Sequence, residues 1–396
     1  MSAPRRRRPH RGRAPRARAT RGRSYVGERY EATAGPIAHG GHVVVRVPSQ
    51  VEPVGTRVVF VRHALPGERV LVEITEGSEG DRFWRGDAVE VLEPSPDRVA
   101  PPCPYAGPGL CGGCDFQHVA LPAQRELKAA VLREQLSRLA GLDVAVTVEA
   151  VPGDEDGLRW RTRQRYVSLP TGRGMRKHRS HDVVPVDDCR IARPDAREPG
   201  SGTVVEQVAA AGVEHTFEVA ADGFWQVHPG APTTLVEAVL EMLEPRPGES
   251  VLDLYAGVGL FSAFLADRVG AGPSTGGRVV AIEGDRGASA LSAANVPSAE
   301  VAAGDVAAVL AASYDEPFDL VVLDPPREGA RRPVVEAVVA RTPRAVAYVA
   351  CDPAALARDV AIFAEHGYHV AGLRAFDLFP MTHHVEAVGL LTPVGR

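Results

Sequence analysis

One cysteine and four acidic side chains lie at the ends of apolar runs in the C-terminal half of the chain. Cys351 follows the run at 345–350. The acids at the ends of the preceding runs are Asp253, Glu283, Asp305 and Asp324. Because the carboxyl ends of parallel strands meet at one edge of a sheet, this spacing predicts a crevice lined by carboxylates, with a thiol beside them. A single acid could simply cap a helix, but four in order favour a ligand site.

A glycine turn predicts the ligand. Gly257-Val258-Gly259 lies between an apolar run and a helical stretch, where the backbone can approach a ligand closely. Glu283, at the end of the next run, could accept the hydroxyls of a ribose, and the nearby Asp253 suits a cation better than a phosphate. The full dinucleotide pattern of glycines is absent, so a pyrophosphate is not required. We therefore expect S-adenosylmethionine, and Cys351 beside a methyl donor predicts covalent activation of a pyrimidine carbon.

The compartment of the protein decides how its cysteines are interpreted, and four of them form a second candidate site. No stretch of 18 apolar residues occurs, and no apolar run follows the N-terminal arginines, so the sequence predicts a cytoplasmic protein without a membrane anchor. Five cysteines in such a chain favour metal binding or catalysis over disulfides. Apart from Cys351 they are Cys103, Cys111, Cys114 and Cys189. Four thiolates suit either zinc or an iron-sulfur cluster.

Composition and periodicity predict a multidomain α/β protein. Short alternating runs over 30–92 predict a small antiparallel β-barrel, and five prolines within 94–104 mark its end. Apolar residues at helical spacing predict a helix over 122–140, before Gly141. From residue 250 onward, continuous apolar runs alternate with alanine-rich stretches, which predicts a doubly wound parallel sheet. With 396 residues, of which 44% are hydrophobic, the chain can form several packed cores.

Positive charge is concentrated at the N-terminus. Residues 1–23 contain ten arginines and no acid, and removing them from a net charge of −5 leaves −15 for the remainder. Such an arm is expected to be disordered, and it suits either a polyanion partner or a solubilising tail. A second basic segment, 159–166, alternates arginines with other residues. It is interpreted either as an RNA-binding strand, with Trp160 and Tyr166 on the opposite face, or as an ordinary half-buried strand.

Five motifs resemble those of the RNA uracil-C5 methyltransferases, which make 5-methyluridine. The motifs lie, in the order of that family, at residues 224–228, 253–261, 324–327, 351–353 and 379–386. The N-terminal barrel resembles a TRAM domain. The cysteine group resembles the iron-sulfur ligands of the ribosomal-RNA branch, and the presence of only one close cysteine pair favours a [4Fe-4S] cluster over zinc.

The resemblance implies a role for each matching residue. Cys351 would add to C6 of uracil, and Glu386 would remove the C5 proton. The residues that would contact the methyl donor are Gln226, Tyr255, Glu283 and Asp324. The resemblance also implies four parts: an arm at 1–23, a TRAM-like barrel at 24–93, a central RNA-binding, cluster-bearing α+β domain at 94–217, and a Rossmann-like methyltransferase domain at 218–396.

Two departures from the family pattern leave alternatives open. Leu260 stands where an asparagine is frequent, and Asp352 replaces an asparagine next to the nucleophile. A carboxylate there would raise the thiol pKa unless a cation compensates. The expected activity is methylation of a uridine in structured RNA, 23S rRNA or tRNA, by a monomer. The alternatives are an RNA cytosine-C5 methyltransferase and a non-catalytic RNA-binding factor.

Overall fold

The computed structural model describes residues 22–49, 55–170, 172–272 and 276–395. Most of the predicted arginine-rich arm therefore lies outside the described residues. The first strands are β1 (Arg29–Thr33), β2 (Ile37–Ala38), β3 (His42–Ser49), β4 (Gly55–Arg62), β5 (Arg69–Glu76) and β6 (Trp84–Glu93). They are followed by β7 (Val148–Ala150), β8 (Arg161–Arg163), β9 (Val167–Leu169), β10 (Gly172–Arg176), β11 (Val183–Pro185), β12 (Ala192–Arg197), β13 (Thr203–Ala210) and β14 (Val213–Ala220).

The remaining strands are β15 (Ser250–Leu254), β16 (Arg278–Glu283), β17 (Glu300–Ala303), β18 (Leu320–Leu323), β19 (Ala345–Ala350), β20 (Tyr368–Asp377) and β21 (Glu386–Pro393). The helices are α1 (Leu121–Gln135), α2 (Ala231–Leu243), α3 (Leu260–Val269), α4 (Arg286–Asn295), α5 (Val306–Ala312), α6 (Arg331–Ala340) and α7 (Pro353–Glu365). A π-helical turn, Leu136–Ala140, extends α1 as far as Gly141. None of the helices among the described residues combines the length and apolar character needed to cross a bilayer.

The N-terminal strands form one six-stranded sheet in the order β1-β5-β6-β4-β3-β2. Alternate residues of β3, Val43, Val45 and Val47, are buried in its core, as the alternating pattern predicts. The prediction of purely antiparallel pairing was wrong for one pair, because β4 and β6 are parallel. The β5–β6 hairpin places its second strand, rather than its first, beside β4, and this reverses the expected direction.

The C-terminal half contains an eight-stranded sheet in the order β17-β16-β15-β18-β19-β21-β20-β7. Strands β15 to β19 are parallel to one another, whereas β21 is antiparallel to both β19 and β20. Consecutive residues of β15 enter different cores: Val251 packs under α2 and α3, and Leu252 packs under α5, α6 and α7. Helices therefore cover both faces, as the continuous apolar strands predict.

Parts of the predicted central segment join this sheet. Strand β7 pairs in parallel with β20, and α1 packs against α7 with Leu132 in the same core. The β13–β14 hairpin likewise buries Phe217 and Val219 against the helices of the opposite face. The segment between β7 and β13 forms two small sheets, β11-β10-β9 and β12-β8. Strand β7 thus completes the eight-stranded sheet, although it precedes β15, the first of the parallel strands, by about 100 residues in the sequence.

A buried ion pair fixes α1 to the end of β20. Lys128 Nζ lies 2.5 Å from Asp377 Oδ1 and donates to the Phe379 carbonyl at 3.0 Å. Both side chains are almost completely buried. Burial lowers the pKa of Lys128, and the Asp377 carboxylate acts in the opposite direction. A buried charge is tolerated only when it is paired, so the two elements are held together specifically.

Replacing Lys128 with methionine should destabilise the protein by about 3–5 kcal/mol, because Asp377 would remain buried without a counter-charge. The measurement is the free energy of unfolding from urea titration. The double variant Lys128→Met/Asp377→Leu should recover much of the loss, since no unpaired charge remains. A double variant as unstable as the single one would contradict this account.

Candidate active site

The carboxyl ends of four parallel strands bring the predicted site residues to one edge of the sheet. Glu283 is the last residue of β16, Asp324 directly follows β18, and Cys351 directly follows β19. Leu254 of β15 lies opposite both Ile282 and Leu323, so these strand ends are level with one another. The predicted crevice is therefore present.

Cys351 and Glu386 are brought together by the antiparallel pairing of β19 with β21. Ala350 lies opposite Ala387, so the next pair in this register is Cys351 and Glu386. Glu386 is buried and Cys351 is half-buried. The two residues are 35 positions apart in the sequence, yet the sheet places them across from one another at the crevice.

Burial and mutual repulsion disfavour the charged forms of these groups. Burial raises the pKa of the Cys351 thiol to about 12, with Glu386 and Asp324 acting in the same direction and Arg327 opposing them. Burial, reinforced by Asp324, also raises the pKa of Glu386 well above its usual range. The pKa of Asp324 itself is raised to about 7 by burial and by the carboxyls of Asp253 and Glu283. Several acids in one apolar crevice cannot all be ionised without a cation.

The glycine turn is an open cradle beside these acids. Gly257 has a φ of 56°, and nothing lies within 4 Å of the position that a side chain there would occupy. Its N–H donates to Glu283 Oε2 at 2.8 Å, and the Asp285 N–H donates to Oε1 at 2.7 Å. Tyr255 also has a positive φ, 64°, and its N–H donates to the Ile282 carbonyl. Strained backbone of this kind is characteristic of ligand sites.

Two of the acids predicted to surround the ligand serve the fold. Asp253 is completely buried and accepts a hydrogen bond from the Ser262 hydroxyl at 2.5 Å, but its Oδ1 atom has no partner among the described residues. Burial raises the pKa of Asp253 to about 6. Asp305 caps α5 by accepting from the Ala308 N–H. The position of Asp305 at the end of an apolar run is therefore accounted for by its role as a helix cap.

Three further residues were considered at the sequence level for contact with the methyl donor, and they differ in burial. Gln226 is half-buried in the connection between β14 and α2, next to the buried Trp225. Tyr255 is half-buried, and burial raises its pKa to about 12. Leu260, where the family often carries asparagine, packs into the apolar core under α3.

A cavity of about 160 Å³ opens onto Cys351 and is lined by residues from three regions of the chain. The N-terminal sheet contributes His39, Gly40 and Gly41, and α1 contributes Lys128. The loop before β21 contributes His383 and His384. His383 and His384 lie within the motif at 379–386, although no role was predicted for them, whereas His39 and Lys128 belong to no motif that by itself indicates chemistry.

The loop before β21 is held by the segment that follows the cysteines. His383 Nδ1 lies 2.6 Å from Asp115 Oδ2, and both the Asp115 and Phe116 N–H groups donate to the Met381 carbonyl. The Met381 N–H in turn donates to Gln124 Oε1 at 2.8 Å. These bonds fix the loop that leads into Glu386.

Asp352 is paired, and this bears on its expected effect on the nucleophile. Its Oδ1 caps α7 by accepting from the Ala355 N–H at 2.8 Å, and its Oδ2 lies 3.0 Å from His39 Nε2. Burial would raise the pKa of Asp352, but the bonds from His39 and Ala355 outweigh it and the pKa is lowered. The main causes of the raised Cys351 pKa are burial, Glu386 and Asp324, rather than Asp352.

The four other cysteines line a second cavity, of about 240 Å³. The Gly112 N–H donates to the carbonyl of Arg176, the last residue of β10, and the backbone of Cys111 forms a β-bridge with Lys177. A side chain at Gly112 would come within 2.4 Å of the His178 backbone, so this close approach requires glycine. Because β11 pairs with β10, Cys189 reaches the same cavity shortly after β11.

Hydrogen bonds and charge surround these sulfurs. The Gly113 N–H donates to Cys111 Sγ, and Gln117 Nε2 donates to Cys114 Sγ, both at 3.4 Å. Arg161 lines the cavity, and burial lowers its pKa although Cys189 and Cys114 oppose the shift. Across the described ranges, no three side chains of His, Cys, Asp or Glu converge closely enough to hold a single metal ion.

The basic segment at 159–166 is engaged internally. Trp160 is fully buried, with its ring 6.0 Å from that of Phe379. Arg159 pairs with Asp188 at 2.6 Å, and Arg163 donates to the Gly223 carbonyl. The segment is therefore not one regularly alternating strand, because only Arg161–Arg163 forms a strand and the side chains of Arg159 and Arg163 bind neighbouring loops.

Comparisons with known proteins agree with this geometry. A family model for tRNA (uracil-5-)-methyltransferase matches residues 199–394, and a TRAM domain model matches residues 23–89. An "uncharacterized RNA methyltransferase" of Streptomyces avermitilis is 44% identical, with 94% of this chain and 100% of the relative covered. The chain belongs to the RNA uracil-C5 methyltransferase family. It is thereby an S-adenosylmethionine-dependent methyltransferase, and the predicted TRAM domain is confirmed.

Two further similarities are informative. A 23S rRNA (uracil(1939)-C(5))-methyltransferase of Shewanella sp. (strain ANA-3) is 29% identical, with 84% of this chain and 90% of that protein covered. The crystal structure of Pyrococcus abyssi tRNA (uracil-54, C5)-methyltransferase, in complex with S-adenosyl-L-homocysteine, is similar in fold with a TM-score of 0.65 at 20% identity. That match covers 92% of this chain and 100% of the other. The Rossmann-like methyltransferase fold is thus confirmed.

Replacing Gly257 with alanine should weaken binding of S-adenosylmethionine by roughly tenfold, about 1.4 kcal/mol. The new methyl group would enter the open cradle, and alanine disfavours the positive φ that aims the N–H at Glu283. Isothermal titration with the donor provides the measurement. Gly212→Ala is the matched control, because Gly212 has a φ of 82° and open space around it in the β13–β14 turn. Equal affinity losses in both variants would contradict the cradle.

Proposed function

We propose that this protein transfers a methyl group from S-adenosylmethionine to C5 of a uridine in structured RNA, through a covalent adduct between Cys351 and C6. The observation that carries the proposal is the position of Cys351 opposite Glu386 across β19 and β21. A nucleophile and a base beside a methyl-donor crevice are the two groups that this chemistry requires.

The crevice fits the donor in shape and in charge. Gln226, Tyr255, Glu283 and Asp324 are the residues that we expect to hold it. The open cradle at Gly257 leaves room for a ligand against the backbone, and Asp253 Oδ1 is a buried acceptor without a partner. When bound, S-adenosylmethionine supplies an electrophilic methyl group and a positive charge. That charge offsets the repulsion among the acids and favours their ionised forms.

The protein's own groups account for the remaining chemistry. The Cys351 thiolate forms a bond from Sγ to C6 of uracil, and the C5–C6 π electrons make C5 nucleophilic towards the methyl group. Glu386 then takes the proton from C5. The electron pair of that C–H bond restores the C5–C6 double bond, and the Sγ–C6 bond breaks to return the thiolate. The positive charge of Arg327 opposes the rise in the pKa of Cys351 and of Glu386, so it favours the ionised forms that these steps need.

The proposed substrate is a structured RNA. The similarity to a 23S rRNA methyltransferase favours ribosomal RNA, and tRNA is the alternative. The nucleophile is half-buried and lines a cavity, so the target base must leave its stack to reach it. A TRAM domain and the arginines of residues 1–23 would contact phosphates. We expect a monomer that meets its RNA in the cytoplasm.

We also propose that Cys103, Cys111, Cys114 and Cys189 bind a [4Fe-4S] cluster. All four line one cavity, and backbone and amide N–H groups donate to two of the sulfurs. The ligands of a cluster bind separate iron atoms, so they stand farther apart than ligands around one zinc ion. The sequence has only one close cysteine pair, Cys111 and Cys114, and this spacing favours a cluster over zinc. Its role would be to hold the loops around the active site, because methyl transfer requires no electron.

Replacing Glu386 with glutamine should trap a protein–RNA adduct. Addition and methylation need no base, whereas elimination requires removal of the C5 proton, which glutamine cannot accept. Burial disfavours the charged form of Glu386, and glutamine has nearly the same shape without a charge, so the fold should persist. The adduct is measured on a denaturing gel with rRNA or tRNA and labelled donor.

Two controls accompany this test. Cys351→Ala should give neither adduct nor product, and Glu365→Gln, at an exposed residue of α7, should behave as wild type. Unmethylated RNA without adduct in Glu386→Gln would contradict the assigned base. Nucleoside mass spectrometry identifies the base, and label in 5-methylcytidine would contradict the uridine assignment.

Protein purified without oxygen should be brown and contain about four iron atoms per chain. Cys189→Ser should lose most of this iron and lower the unfolding temperature, since one ligand of four is removed. Cys351→Ser is the matched control, because it also removes one thiol but should keep the iron. Stoichiometric zinc without iron would contradict the cluster.

A further inference from the structure

The turn between β2 and β3 reaches from the N-terminal sheet into the active site. It consists of His39, Gly40 and Gly41, all of which line the cavity at Cys351. Gly41 has a φ of 75°, and a side chain there would come within 2.8 Å of His383 Cβ and 3.2 Å of Asp115 Cβ. The turn is therefore packed tightly against the loop that precedes β21, which fixes the position of His39.

His39 contacts the residue next to the nucleophile. Its Nε2 atom lies 3.0 Å from Asp352 Oδ2, and the other carboxylate oxygen accepts from the Ala355 N–H at the start of α7. Both oxygens of Asp352 are thus engaged. The hydrogen bond from Asp352 raises the pKa of His39, while burial acts in the opposite direction. Two other charged groups act on the pKa of His39: Glu134 of α1 raises it, and Arg358 of α7 lowers it.

Asp352 needs such a partner because of where it stands. An unpaired carboxylate beside Cys351 would add to the repulsion from Glu386 and Asp324, against which Arg327 is the cation that acts on the thiol. When His39 is protonated, its positive charge cancels most of the repulsion that the Asp352 carboxylate would exert on the Cys351 thiolate. The same bond holds the carboxylate in the orientation that caps α7, whose first turn carries the backbone directly after the nucleophile.

We propose that His39 is a positioning residue of the methyl-transfer site, which the N-terminal domain supplies to hold Asp352 and offset its charge next to Cys351. The TRAM domain would then contribute directly to the reactivity of the nucleophile, in addition to any contact with RNA. The inference rests on the proposed function for its importance in catalysis. The pairing itself can be tested without RNA or donor.

The test measures how fast iodoacetamide alkylates Cys351 at pH 6.5, where the raised pKa of His39 favours its protonated form, by mass spectrometry of the Cys351 peptide from the full chain. The rate follows the thiolate fraction, so each unit of thiol pKa changes it about tenfold. His39→Ala should slow alkylation by roughly three- to tenfold, and His39→Lys, which keeps a cation, should recover most of the rate. In an Asp352→Asn background, His39→Ala should have no further effect, because asparagine can cap α7 without adding charge.

His215→Ala is the matched control. His215 Nε2 lies 2.8 Å from Asp267 Oδ2, a similar histidine–aspartate pair outside the active site, and its loss should leave the alkylation rate unchanged. Faster or unchanged alkylation in His39→Ala, or the same slowing in the Asp352→Asn background, would overturn the proposal. Because alkylation uses neither RNA nor donor, a protein that fails to methylate uridine can still show the His39 effect, so the two proposals fail separately.

Discussion

The pairing of β21 with β19 is the constraint on which the active site depends. Strand β21 runs antiparallel between two neighbours, and this register sets Glu386 across from Cys351. Successive residues of a strand face opposite sides of the sheet, so a slip of one residue would turn Glu386 to the other face. The apolar residues of β21, such as Val388 and Leu391, enter separate cores and oppose such a slip. Core packing thereby fixes the distance between nucleophile and base.

The approach to β21 is fixed by residues from the first third of the chain. Asp115, Gln124 and Lys128 bind consecutive parts of the connection between β20 and β21. These contacts come from the segment that follows the cysteines, so a cluster bound there would order the same loop. The cysteine site and the catalytic site are in this way mechanically connected, although no electron passes between them in the proposed reaction.

The sequence predicted the features that depend on local patterns. Continuous apolar runs identify parallel strands, and residues at their carboxyl ends, such as Glu283 and Cys351, must then share an edge. The contribution of β7 was not predictable, because three residues carry no periodic signal and the partner strand lies more than 200 positions away. Nor was His39, since a single histidine in a glycine turn gains its meaning only from Asp352 across the domain boundary. Whether Trp160 faces RNA or the core was left open, because alternation alone does not show which face of a strand is buried.

The edge strand β7 has a consequence for synthesis. A ribosome makes Val148 long before Ala375, its partner in β20, has entered the exit tunnel. The N-terminal sheet can assemble early, because its six strands are contiguous in the sequence. Helix α1 and β7 must instead wait with apolar surface uncovered until α7 and β20 have emerged. We therefore expect the capture of this early segment to follow the synthesis of β20, so that the active site forms later than the N-terminal sheet.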